Sequence, residues 1–256
     1  MVLGAVAFVA MAHAVQDSSS DQKRLTDAKT GVQIVLEVDA DMFPQSWKDS
    51  PINAKAKPLE PGEVGRSAKL VQSALAIYPP EVLKSDLRKV FVCRSIDFYG
   101  LTYGGTNSFD TVYLTNNGTG LGYTDSYITG SFHHEFSSIL KRNHPTLLDE
   151  RAWNGANPPE FKYGHGGTEA LRMGQASTRL DVTLAGEGFV AQYAKASVEE
   201  DFNMVVEGLF SGNPEFWKMV DGHSRLKVKM ALAVKFYKTL NPIFTESFFR
   251  SKPASS

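Results

Sequence analysis

Ser131-Phe132-His133-His134-Glu135-Phe136-Ser137-Ser138-Ile139-Leu140 is the stretch on which the reading of this chain turns. It falls one residue short of H-E-x-x-H. In that frame two histidines four residues apart share one helix face, so both imidazoles reach one zinc ion. The glutamate between them can serve as general base on zinc-bound water. Here His134 and Glu135 fill the first two roles, and Ser138 stands where the second imidazole belongs. A neutral hydroxyl is not among the usual zinc ligands. Moving the frame back one residue pairs His133 with Ser137, again a hydroxyl.

The stretch has the marks of a helix. Thr129, Gly130 and Ser131 can cap its start. Phe132, Phe136, Ile139 and Leu140 form an apolar stripe at helical spacing, and Pro145 after Asn143-His144 predicts its end.

At these residues the chain resembles the zinc-binding metallopeptidases typified by an H-H-E-F-x-H-I-L helix, which are zincin-like and of the gluzincin type. The resemblance holds at His133-His134-Glu135-Phe136 and Ile139-Leu140 and fails at Ser138. A second segment, Gly188-Phe189-Val190-Ala191-Gln192-Tyr193-Ala194 followed by Glu199-Glu200-Asp201-Phe202, is similar to the family's G-F-V-x-x-Y-A and E-D-F-A-E motifs. The resemblance implies a zinc cofactor, His134 and Glu200 as metal ligands, and Glu135 as the catalytic base. It also implies that a further carboxylate beside the metal is lost, because Met204 stands in its place. Weaker similarity spans roughly residues 65–240.

Other histidines offer themselves as a third ligand. His144 lies ten residues after His134, the spacing of a longer peptidase motif, but Lys141 replaces the glycine that would turn the chain. His165 sits in the glycine-rich loop Tyr163-Gly164-His165-Gly166-Gly167, whose Tyr163 could donate a hydrogen bond to a transition state. His223 reads as part of a turn.

The chain has 256 residues, 42% hydrophobic and 21% charged, enough for a sizeable core. A formal net charge of -1 without a basic block argues against nucleic-acid binding. Arg225, Lys227 and Lys229 read as the solvated face of a helix. Val2 to Met11 is apolar but shorter than the about 20 residues a membrane span needs. Ala12-His13-Ala14 fits a leader cleavage site, so residues 1–14 are expected to be a signal peptide and the protein secreted or periplasmic. Residues 15–28 are then a polar linker and 29–256 one peptidase-related domain. Cys93 is the lone cysteine, expected as a buried strand thiol, so no intrachain disulfide forms.

Strands are predicted at Val32 to Val38, Lys89 to Ile96 and Thr111 to Leu114, and irregular chain from Asp41 to Gly65 with its four prolines and two glycines. Helices are predicted at Arg66 to Tyr78, Glu81 to Leu87, Gly186 to Lys195, Val198 to Phe210, Glu215 to Asp221 and Ser224 to Leu240. Asn154 to Gly174 reads as a loop. Early strands and late helices predict an α+β fold. The resemblance makes it zincin-like, a small mixed sheet with an edge strand beside the metal-site helix and a mainly helical C-terminal half. Thr111-Val112-Tyr113-Leu114 is the candidate edge strand, against which a substrate could add as a further strand. Two functions follow as expectations. One is a zinc-dependent peptidase acting on a polypeptide. The other is a non-catalytic relative that binds peptides or an exported protein partner.

Overall fold

The structure is a computed structural model that describes residues 23–253. The expected leader at 1–14 lies outside the described residues. The strands are β1 (Arg24–Thr26), β2 (Gln33–Val35), β3 (Lys55–Lys57), β4 (Lys89–Cys93), β5 (Ser95–Phe98), β6 (Leu101–Tyr103), β7 (Gly105–Asn107) and β8 (Thr111–Thr115). The helices of the first half are α1 (Gln45–Lys48), α2 (Pro61–Leu75), α3 (Pro80–Asp86) and α4 (Asp125–Asn143). Those of the second are α5 (Glu150–Gly155), α6 (Gly167–Arg172), α7 (Val182–Ala185), α8 (Val198–Ser211), α9 (Pro214–Gly222), α10 (Ser224–Leu240) and α11 (Glu246–Arg250).

Five strands form one mixed sheet in the order β1-β2-β4-β8-β7, parallel across β2, β4 and β8 and antiparallel at both edges. β8 is therefore an inner strand, paired on both sides, and not the edge expected of Thr111 to Leu114; that edge is β7. Every residue of β8 is buried, because its two faces look into different cores. Val90, Val92, Val112 and Leu114 face the helices, while Phe91, Cys93 and Tyr113 face the other way. This is the period-two alternation of a sheet covered on both sides. On that second side Phe91 stacks on Tyr113 with ring centroids 5.4 Å apart, and Phe43, Trp47 and Phe98 close around them. The segment predicted as one strand over Lys89 to Ile96 divides after Cys93, and its second half joins the small sheet β3-β5-β6. Residues 24–26, inside the stretch expected to be linker, pair with β2 as β1.

α4 lies on the helical side of the sheet. Its stripe Phe132, Phe136, Ile139 and Leu140 is wholly buried, worth about 2 kcal/mol per side chain in apolar burial. It starts earlier than the sequence suggests: Thr124 caps it by accepting a hydrogen bond from the Tyr127 N–H. α8 crosses α4, and Ser197 caps α8 by accepting from the Glu200 N–H. The helix predicted from Gly186 to Lys195 does not form. Gly188 turns the chain at φ 93°, and Phe189, Val190 and Ala191 run buried beneath the site before a 3-10 turn at Gln192–Lys195. The stretch predicted as loop, Asn154 to Gly174, contains α6.

Candidate functional site

α4 and α8 bring His134 and Glu200 together. His134 Nε2 lies 3.0 Å from Glu200 Oε2, and both side chains are largely buried. The other ring nitrogen, Nδ1, lies 3.5 Å from Glu207 Oε2. Glu207 follows Glu200 by two helical turns and so shares its face of α8. It provides a carboxylate against the imidazole although Met204, buried in the core, does not. Tyr193 donates its hydroxyl hydrogen to Glu200 Oε1 at 2.9 Å. Glu135 turns toward β7, where Asn107 Nδ2 donates to its Oε2 at 2.8 Å. The close fit there requires Gly105, since a Cβ on it would lie 2.9 Å from Glu135 Oε1.

The charges follow from these contacts. Burial alone would lower the His134 pKa, but hydrogen bonds to Glu200 and Glu207 outweigh it and hold the imidazole well above its ordinary value. Burial pushes the Glu135 carboxyl up to about 7, against the opposing pull of His134 and Asn107. Glu135 and His134 face a cleft of about 300 Å³ that is also walled by Tyr103, Tyr127, Tyr193 and Glu207.

The position of the missing imidazole is filled by a polar clasp between the helices. Asn203 Nδ2 donates to Ser138 Oγ at 2.7 Å, and Ser137 Oγ donates to Asn203 Oδ1 at 2.5 Å. All three side chains are buried. Ser138 is thus engaged by its neighbour.

The remaining candidates lie elsewhere. His133 points away from the cleft, stacked on Phe210 at 4.3 Å and hydrogen-bonded through Nδ1 to Tyr78 Oη at 2.9 Å. His144 and Asn143 bind Asp86, so the end of α4 is tied to the end of α3. His165 is exposed on the loop before α6, and His223 Nδ1–H donates to the Met219 carbonyl. Tyr163 donates to Asp201 Oδ2 at 2.6 Å and is committed to a buried network, where Trp153 Nε1 and Lys229 Nζ donate to the same oxygen. Lys229 is not on a solvated face. It is fully buried and also donates to the Gly188 carbonyl.

A zinc ion can be tested against this donor set. His134 Nε2 and Glu200 Oε2 are close enough to share a cation bound at about 2.0–2.1 Å from each. A catalytic zinc takes three protein ligands. Glu207 faces the opposite ring nitrogen, and Ser138 is held by Asn203. Among the described residues no group of three or more His, Cys, Asp or Glu side chains could hold a metal ion. Among the described residues the structure thus brings two zinc donors together, His134 and Glu200, and Ser138 does not supply the third ligand of a catalytic set.

Of the site's groups, Tyr193, Glu207, Asn107 and Asn203 had no role assigned from sequence. Tyr193 stands in the G-F-V-x-x-Y-A resemblance without a role, and Glu207 carries a signal in its spacing of seven from Glu200.

No family model matches this sequence, and no curated protein does. Among solved structures it is similar to a protein of Bacteroides caccae described as a "putative zinc-binding metallo-peptidase". The TM-score is 0.57 at 15% identity, over 87% of this chain and 84% of that one. The likeness establishes a metallopeptidase-like fold, mixed α and β with a small mixed sheet, as the α+β expectation has it.

Proposed function

We propose that this chain is a peptidase-like binding protein whose cleft holds an extended polypeptide without zinc-dependent hydrolysis of it. The observation that carries this reading is the Ser137–Asn203–Ser138 clasp. It fills the place of an imidazole with groups that satisfy one another, leaving His134 and Glu200 as a two-donor pair. An ion pair between them, with Glu207 on the far nitrogen, compensates the buried charges. The ligand would lie along β7, whose one strand neighbour among the described residues is β8, and add as a further strand. The side chains meeting it would be those of His134, Glu135 and the three tyrosines.

A zinc-dependent peptidase is the second reading. It is favoured by the 3.0 Å approach of His134 to Glu200 and by a Glu135 carboxyl that burial pushes up to about 7. Equilibrium dialysis against zinc followed by metal analysis separates the two. The binding reading expects far less than one zinc per chain and no cleavage of an unfolded polypeptide such as reduced casein. One zinc per chain, lost in His134→Ala and Glu200→Ala, with hydrolysis abolished in Glu135→Gln, would establish the peptidase instead.

A further inference from the structure

The segment from Gly166 to Gly174 separates two cavities. Its helix α6 turns Leu171 toward the 300 Å³ cleft, and Glu169, Ala170 and Met173 toward a second cavity of about 630 Å³. The chain beyond it alternates likewise. Ala176 and Thr178 line the cleft, whereas Gln175, Ser177 and Arg179 line the larger cavity. Such alternation marks 175–179 as an extended partition, one side chain to each face in turn.

One side-chain and two backbone hydrogen bonds tie α6 and the turn before it to their surroundings. Tyr103 Oη, on the last residue of β6, shares a hydrogen bond of 2.8 Å with Thr168 Oγ1. The Gly164 and Gly166 N–H groups donate to the Lys195 and Ala196 carbonyls at 3.1 and 2.9 Å. Ala170 is the buried residue of this helix. At either end the chain turns through a glycine at positive φ, 92° at Gly166 and 66° at Gly174, a region that L side chains rarely adopt. Between them Gly167 closes on the site: a Cβ there would lie 2.2 Å from Tyr193 Oη and 2.6 Å from Glu200 Oε1.

We propose that residues 166–174 form a lid over the cleft, hinged at Gly166 and Gly174 and latched by the Tyr103–Thr168 hydrogen bond, which opens into the larger cavity to admit an extended chain to β7 and His134. The proposal rests on the reading of the cleft as a polypeptide-binding site. The two cavities supply its mechanics. The open position is space that already exists, and Ala170 is the one buried residue of α6, so the lid can move without unpacking the main core.

Amide hydrogen exchange on the full chain without ligand tests the lid by itself. Tyr103→Phe and Thr168→Val should each raise exchange across 166–174 about fivefold, the weight of one net hydrogen bond. Gly167→Ala, whose methyl group meets Tyr193 and Glu200, should raise it further. α8 and α10 should not change. Exchange unaltered across 166–174 in all three variants overturns the lid, as does a rise that spreads through α8. Fluorescein-labelled random decapeptides then test the underlying reading. Their association should be faster with Thr168→Val, which frees the latch without touching the cleft lining, than with the unaltered chain. A lid seen by exchange in a protein that binds no decapeptide leaves the lid standing and removes the polypeptide ligand.

Discussion

Asn203 and Ser138 show how one substitution is absorbed by its neighbour across a helix pair. The amide of Asn203 spans both serine hydroxyls of α4, so a histidine introduced at 138 would meet it directly. Ser138→His alone should therefore gain little zinc. Ser138→His combined with Asn203→Ala vacates the space and adds a third donor to His134 and Glu200, and should take up about one zinc per chain, measured by metal analysis after dialysis. His133 carries a second prediction. Burial lowers its pKa to about 3, so the folded chain keeps it neutral. The unfolded chain protonates it near 6.5. The stability tied to this group is complete above about pH 6.5 and is lost as pH falls toward 3. Between pH 7 and pH 4.5 the loss is on the order of 2 kcal/mol. Glu135, raised to about 7, gains stability over the same range, so His133 is read from the difference between two proteins: the urea midpoint of the unaltered chain should fall relative to that of His133→Leu as pH drops from 7 to 4.5. His134 and Glu200 were named from motif resemblance. The roles of Glu207, Asn203 and Tyr193 depend on where two helices cross and on the turn that precedes α8, which neither spacing nor motif carries.

α10 is legible as a helix from its spacing, but one of its charges lies in the core and not on the expected solvated face. Leu226, Met230, Ala233 and Tyr237 form its buried stripe, and Lys229 falls within that stripe, three residues from Leu226 and one from Met230. The helical spacing alone places Lys229 on the buried face, and its ordinary preference for solvent is overridden by Asp201. In the structure Lys229 meets Asp201 at 2.6 Å with both side chains fully buried, and rests 4.0 Å over the Phe189 ring. Lys229→Met should leave the carboxylate buried without its cation and cost about 3 kcal/mol in urea unfolding. Adding Asp201→Asn should recover much of that loss, since an amide carries no charge to compensate. Gly186 to Lys195 failed for another reason. Its composition suits a helix, but the chain there must pass beneath α8 to bring Tyr193 to Glu200, and Gly188 provides the turn. That demand comes from the packing of α8 and leaves no periodic trace.

Across the whole molecule, the division into early strands and late helices was readable from β-branched runs and helical periodicity, but strand order was not. Thr111 to Leu114 is expected as the edge because the resemblance places an edge strand just before the metal-site helix. It lies inside because both its faces are apolar, with Val112 and Leu114 toward one core and Tyr113 toward the other. The true edge, Gly-Thr-Asn at β7, has no hydrophobic signature; it is defined by its pairing and by Glu135 beside it. Its register predicts how a ligand would attach. Thr106 pairs with Tyr113, and the Ser108 N–H donates to the Thr111 carbonyl. Main-chain groups alternate sides along a strand, so those of Gly105 and Asn107 face away from β8. A polypeptide added at that edge would use its own alternate amides to meet them. N-methylation of one alternate set in a bound decapeptide should therefore weaken binding at least tenfold, while methylation of the other set should change it little. Equal sensitivity of both sets, read by fluorescence anisotropy, would rule out strand addition and place the ligand's attachment in its side chains.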